Sequence, residues 1–204
     1  MRKIKVALMM AALAALLVTL GVLTAFAAIG GLQATVTLPG NGSCNVGLAF
    51  DGTYVMAVRT GCASSTIDIY TPPPGNGAAT LIATKTVKDA GGALVTVSAI
   101  DWDSSRGKLW AVYNAPVPGA VYLIDLGDKT ATGDVTAVFQ FSPAVGGIGL
   151  VDGLAWDPND DTLYFSPDVN LNVYQFSLGT GANPPLGTLM NTVAPKNAAG
   201  VADG

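Results

Sequence analysis

The chain has 204 residues, 50% of them hydrophobic and only 12% charged, with 25 Gly, 12 Pro and a formal net charge of −4. It contains no His, and all 14 acidic residues are Asp, so Glu is absent as well. These residues therefore exclude a Ser-His-Asp or Cys-His nucleophile system, a His-based zinc site and a glutamate general acid. A Gly-, Thr-, Val- and Asp-rich composition also argues against a coiled coil or helical bundle.

Met1-Arg2-Lys3-Ile4-Lys5 forms a basic start, and Val6 to Ala25 is an almost unbroken apolar run. Ala25-Phe26-Ala27 supplies the small-x-small pattern of a signal-peptidase site, which predicts cleavage between Ala27 and Ala28. An uncleaved anchor is the alternative, because about 20 apolar residues suffice to span a bilayer. No Cys lies near the end of the run, which disfavours a lipoprotein. Either way, the remainder is expected to be secreted or otherwise extracytoplasmic. Removing residues 1–27 leaves seven basic and fourteen acidic groups, a balance of −7. That charge argues against nucleic acid or an anionic membrane surface as partner.

From residue 28 to 204 the sequence predicts one all-β domain built on an internal repeat. Val46-Gly47-Leu48-Ala49-Phe50-Asp51 precedes Tyr54-Val55-Met56-Ala57-Val58. About 50 residues later, Ser98-Ala99-Ile100-Asp101-Trp102-Asp103 precedes Lys108-Leu109-Trp110-Ala111-Val112. The pattern returns as Asp152-Gly153-Leu154-Ala155-Trp156-Asp157 before Thr162-Leu163-Tyr164-Phe165-Ser166. Third runs follow at Thr66–Tyr70, Val121–Asp125 and Val173–Ser177, and fourth runs at Leu81–Thr84, Ala137–Phe141 and Leu189–Val193. Short β-branched and aromatic runs between Gly, Pro, Asn and Asp turns read as antiparallel strands. Four strands at this period predict β-propeller blades over about 46–96, 97–150 and 151–200, with a solenoid or β-sandwich as the alternative. Phe50, Trp102 and Trp156 are expected to pack between neighbouring blades, and the Asp after each to cap the following turn.

Cys44 and Cys62 flank the first hairpin almost symmetrically, and in an exported protein a disulfide is the default expectation. Thr71–Gly77 and Gly179–Pro185 read as surface loops. Val201-Ala202-Asp203-Gly204 repeats the opening of the third unit and then stops, so residues 201–204 read as the start of a further blade. Three blades cannot close a ring. The expectation is a C-terminally truncated propeller, or a complete short chain that pairs as a homodimer.

"DGLAWDPNDDTLYFS" at Asp152–Ser166, with "VYQF" following, resembles repeats of the six-bladed propeller superfamily. That group includes gluconolactonase/senescence-marker, NHL, LDL-receptor YWTD and streptogramin-lyase-type proteins. The resemblance implies that the strand within 30–40 latches the last blade. It also implies an axial calcium site, for which Asp152 and Asp203 match blade-start ligands and Asp168 lies near a later one. The Glu expected of the lactonase group is missing, with Val46 in its place. Asp157, Asn159, Asp161 and Asp168 also follow calcium-loop spacing, but Thr162 stands where Gly belongs, so an acidic hairpin turn is the simpler reading.

The functional expectation is a non-catalytic exported binding module for a protein, glycan or envelope component. A calcium-dependent lactonase or hydrolase with part of its site outside these residues is the alternative. Arg59, Lys85, Lys88, Arg106, Lys108, Lys129 and Lys196 are scattered and read as solvated edges and turns.

Overall fold

A computed structural model describes residues 34–40, 47–59, 64–113, 120–143, 151–167 and 172–196, and among these the repeated strand elements are all β. The apolar leader with Ala27 and Ala28, both cysteines, Asp168 and the segment 201–204 lie outside the described residues. A compact body runs from Val36 onward.

Each repeat becomes an antiparallel meander because its runs are short, rich in β-branched and aromatic residues, and separated by Gly, Asp, Asn and Pro turns. The first contains β1 (Val36–Thr37), β2 (Leu48–Phe50), β3 (Val55–Val58), β4 (Thr66–Thr71), β5 (Gly77–Ala78) and β6 (Thr80–Lys88), with β2-β3-β4-β6 hydrogen-bonded in that order. The second is β7 (Val97–Asp103), β8 (Lys108–Tyr113), β9 (Val121–Ile124) and β10 (Gly133–Phe141). The third is β11 (Val151–Asp157), β12 (Thr162–Pro167), β13 (Val173–Ser177) and β14 (Leu189–Val193). At each first hairpin the expected Asp organises the turn. Asp51 accepts the N–H groups of Thr53 and Tyr54, Asp103 those of Ser105 and Arg106, and Asp157 that of Asn159. The last turn position is left-handed, Gly107 at φ 63° and its counterpart Asp161 at φ 53°. Asp tolerates that conformation better than most residues with a Cβ.

The first two repeats do not stand as separate sheets. Gly133–Thr136 of β10 extends beyond β9 and pairs in parallel with Lys85–Lys88 of β6. Unpaired backbone groups at a long strand's edge seek a partner, and here each fourth strand supplies the other's. The result is one eight-stranded sheet, β2-β3-β4-β6-β10-β9-β8-β7, whose end strands β2 and β7 lie against each other in a nearly closed, barrel-like arrangement. The third repeat is a separate four-stranded sheet whose β11 lies against β7. At the N-terminal end β1 finds its partner inside the first repeat, pairing in parallel with β5.

Two cores separate the repeats. Between the first and second lie Met56, Val58, Ile67 and Ile69 against Val97, Ile100, Leu109 and Ile124. Between the second and third, Phe141, Phe165 and Phe176 meet with ring centroids 5.0 to 6.4 Å apart, beside Trp110, Val112 and Leu163. Trp102 and Trp156 pack into these cores as expected. Phe50 does not: it is 56% exposed, and among the described residues no sheet lies over its face of β2.

Candidate functional site

The first strands of the three repeats run side by side, and their beginnings converge. Ser98 is fully buried, and its hydroxyl donates to the Val151 carbonyl at 2.9 Å, tying β7 to β11. Gly47 precedes β2 at a close approach. A Cβ there would overlap the Ser98 carbonyl oxygen and lie 3.3 Å from Ile100 Cγ1. Asp152 sits on β11 where the register shifts between Val151 and Gly153. Its expected companions Asp168 and Asp203 fall outside the described residues, as do Cys44 and Cys62. Among the described residues no three Asp side chains come together as metal ligands would.

The calcium-loop spacing resolves into a turn with separate duties. Asp157 accepts from the backbone N–H and side-chain amide of Asn159 at 2.8 Å each. Asp160 accepts from the Thr162 hydroxyl and the Gln175 amide. Asp161 turns to the second repeat, accepting from Arg106 at 2.7 and 2.6 Å, from Trp156 Nε1 at 2.9 Å and from the Thr180 hydroxyl.

Arg106 is the centre of that junction. Besides Asp161, its Nη1 donates to the buried Asp103 carboxylate, which also accepts from Trp110 Nε1 at 3.0 Å. Burial by itself would raise the Asp103 pKa, but hydrogen bonds from Ser105, Arg106 and Trp110 outweigh it and hold the group below its ordinary value. The Arg106 hydrogen bonds hold Asp161 far below the carboxylate range, and Arg106 rises in turn. Asp101 responds in the opposite direction. Burial pushes it up, although its carboxylate accepts the N–H groups of Trp156 and Trp102.

The remaining basic residues correct the expectation of solvated edges. Lys129 spans the other junction, donating to Asp51 while its ammonium stands 3.9 Å from the Trp102 ring centroid. Burial would raise Asp51, but Lys129 and the Tyr54 and Thr53 N–H groups bring it below its ordinary value. Lys85, 5% exposed, donates to the carbonyls of Asp128 and Ala131 at 2.7 and 2.5 Å, pinning the turn before β10 onto β6. Arg59 donates to buried Asp68 at 2.7 Å and to Thr84 at 2.9 Å. Only Lys88, Lys108 and Lys196 match the solvated reading, the first two in surface pairs with Asp134 and Asp125. These partners lie far apart in sequence, 78 residues for Lys129–Asp51 and 55 for Arg106–Asp161, so no local motif announces them. The one available signal was Asp101, a charged residue where the other repeats carry Ala49 and Ala155.

An open cleft of about 700 Å³ lies over the outer strands of the second repeat. Leu123 and Val138 give it an apolar floor, and Lys108, Asp125, Asp134 and Gln140 place polar groups around it. No family model matches the chain, and no curated protein matches it.

Proposed function

We propose that the chain is an exported β-propeller-type protein, its three four-stranded repeats acting as blades, and that it serves as a non-catalytic binding module outside the cell. The N-terminal basic and apolar segment supports export, and face-to-face stacking of meanders with their first strands adjacent supports the blade reading. The observation that carries the binding role is the cleft on the second repeat. Its carboxylates Asp125 and Asp134 are 66% and 59% exposed and pair with Lys108 and Lys88, so they stand open to a ligand's polar groups. An apolar floor ringed by amide, ammonium and carboxylate groups suits a glycan or an extended peptide.

The test is equilibrium binding to a panel of neutral polysaccharides and unstructured peptides, comparing the parent with Gln140→Ala and Val138→Asp. Val138 is exposed and Gln140 half-buried at the cleft, and both substitutions are expected to weaken binding at least tenfold with little change in the unfolding midpoint. Calcium-dependent lactone hydrolysis by the parent, with no change in either cleft variant, would overturn this reading in favour of the hydrolase.

A further inference from the structure

The seam between β6 and β10 covers only half of β10. Lys85–Lys88 pair in parallel with Gly133–Thr136, and there β6 ends. Val87 turns its own N–H and C=O away from the seam, to Ser65 and Val95. Backbone groups alternate in direction along a strand, so Thr86 and Lys88 face β10, and Val135 and Ala137 face β6. Asp89 then bonds Ala93 and leads the chain away in a turn. On β10 the next residue aimed at this edge is Phe139, because the register with β9 holds from Ala137 to Phe139 and shifts only beyond it. Among the described residues no strand lies opposite the Phe139 N–H and C=O. The chain is next described at Val151, bonded to Ser98 on β7, the strand at the other end of this repeat's sheet.

A cleft opens on each side of this edge. Asp134, Thr136 and Gln140 line the one already described, Phe139 and Tyr122 line a second of about 490 Å³ beside the turn at Asp89, and Val138 borders both. Tyr122 and Phe139 meet edge to face, with ring centroids 6.0 Å apart, and Phe139 is 55% exposed. The first cleft has an acidic balance. Asp125, Asp128 and Asp134 line it, and of its two lysines Lys85 is committed to the Asp128 and Ala131 carbonyls.

We propose that an extended peptide adds to β10 along residues 137–139, taking up the seam where β6 leaves it. Its apolar side chains lie against Tyr122 and Phe139, and its basic side chains lie over Asp125 and Asp134. Three observations select this occupant. The edge continues an existing strand pairing, and open backbone groups at an edge are met by another strand. The two clefts receive successive side chains of one strand, which point alternately to opposite faces. The carboxylates favour a basic residue at every second position. A glycan has no backbone donors and acceptors at strand spacing, so the edge favours a peptide. The inference rests on the binding-module reading and selects one of its two ligands.

The test is amide hydrogen exchange at Phe139 in the exported chain, with a short capped peptide of alternating valine and lysine as the probe. The Phe139 N–H is expected to exchange quickly in the free protein and at least tenfold more slowly with saturating peptide. N-methylation of either the valine or the lysine nitrogens, whichever set faces β10, is expected to abolish the effect, and methylation of the other set to leave it. Glutamate in place of lysine is expected to weaken binding at least tenfold. A Phe139 amide already protected in the free protein overturns the proposal, as does unchanged exchange at millimolar peptide or an equal loss from both methylation patterns. Equal binding of the glutamate peptide overturns the basic preference. A neutral polysaccharide that binds through Gln140 and Val138 while the peptide fails defeats this inference and keeps the binding module. Calcium-dependent lactone hydrolysis defeats the binding module and leaves the exchange result as measured.

Discussion

The two junctions between repeats do the same job with different physics. The first is aliphatic and is reinforced by backbone: β6 and β10 pair across it, Lys85 ties the turn before β10 to β6, and Lys129 adds a single pair to Asp51. Among the described residues the second has no backbone pairing between its sheets. It depends on a packed aromatic trio and on the Arg106 fork between Asp103 and Asp161. Backbone pairing is insensitive to side-chain identity, whereas an aromatic and ionic junction is specified by a few residues. The third repeat is therefore attached by contacts that single substitutions can remove.

Phe165→Ala breaks this contrast most sharply. The side chain is fully buried among Phe141 and Phe176, and truncations of that kind cost about 3–5 kcal/mol. Urea unfolding is expected to show the third repeat released before the first two. A single transition with a loss below about 1 kcal/mol would mean that the aromatic trio does not hold the junction.

Next in size is Arg106→Gln, which leaves the buried Asp103 carboxylate without its cation. Breaking a buried pair costs about 3–5 kcal/mol, and the partial exposure of Arg106 places the expected loss toward about 2–3 kcal/mol. Arg106→Lys is expected to recover less than half of it, because one ammonium cannot reproduce the fork. Equal stability of parent and Arg106→Gln would remove the ionic half of the contrast.

The same junction sets an acid response. Asp103 and Asp161 sit below the unfolded carboxylate value of about 3.9, so their contribution is complete above that pH and drains as pH falls through their lowered native values. Asp101 is raised, so it opposes them: its contribution is present at low pH and is lost as pH rises from the unfolded value through its own. Urea midpoints measured between pH 5 and pH 2 are expected to fall, and to fall less in Arg106→Gln. Parallel curves for the two proteins would assign the acid response elsewhere.

Lys129→Gln is the smallest test and the control for the first junction. It removes a single ion pair, largely buried on the Asp51 side, and a contact with the Trp102 face; Asp51 keeps the N–H groups of Thr53 and Tyr54, so the expected loss is about 1–2 kcal/mol. The backbone seam is expected to keep the first two repeats cooperative. A separation of those repeats in this variant would reverse the ranking of the two junctions.

Much of the local structure was legible in the residues. Alternation and turn chemistry placed the β-runs of each repeat, and the Asp after each aromatic caps its hairpin because a short carboxylate reaches the N–H groups two and three residues on. The candidate site was far less legible. Asp157 and Asp161 looked alike in sequence, yet one serves its own turn and the other an arginine of the neighbouring repeat.

By itself the sequence determined the all-β class, the recurring strand pattern and the turns, since these rest on neighbours a few residues apart. Only the tertiary structure decided that β6 and β10 merge two repeats into one sheet, because that depends on how far one strand overruns another. It alone decided which cations are structural and that Phe50 stands exposed while Trp102 and Trp156 are packed. Those outcomes turn on what lies against each face, and a repeat cannot encode its neighbour's presence.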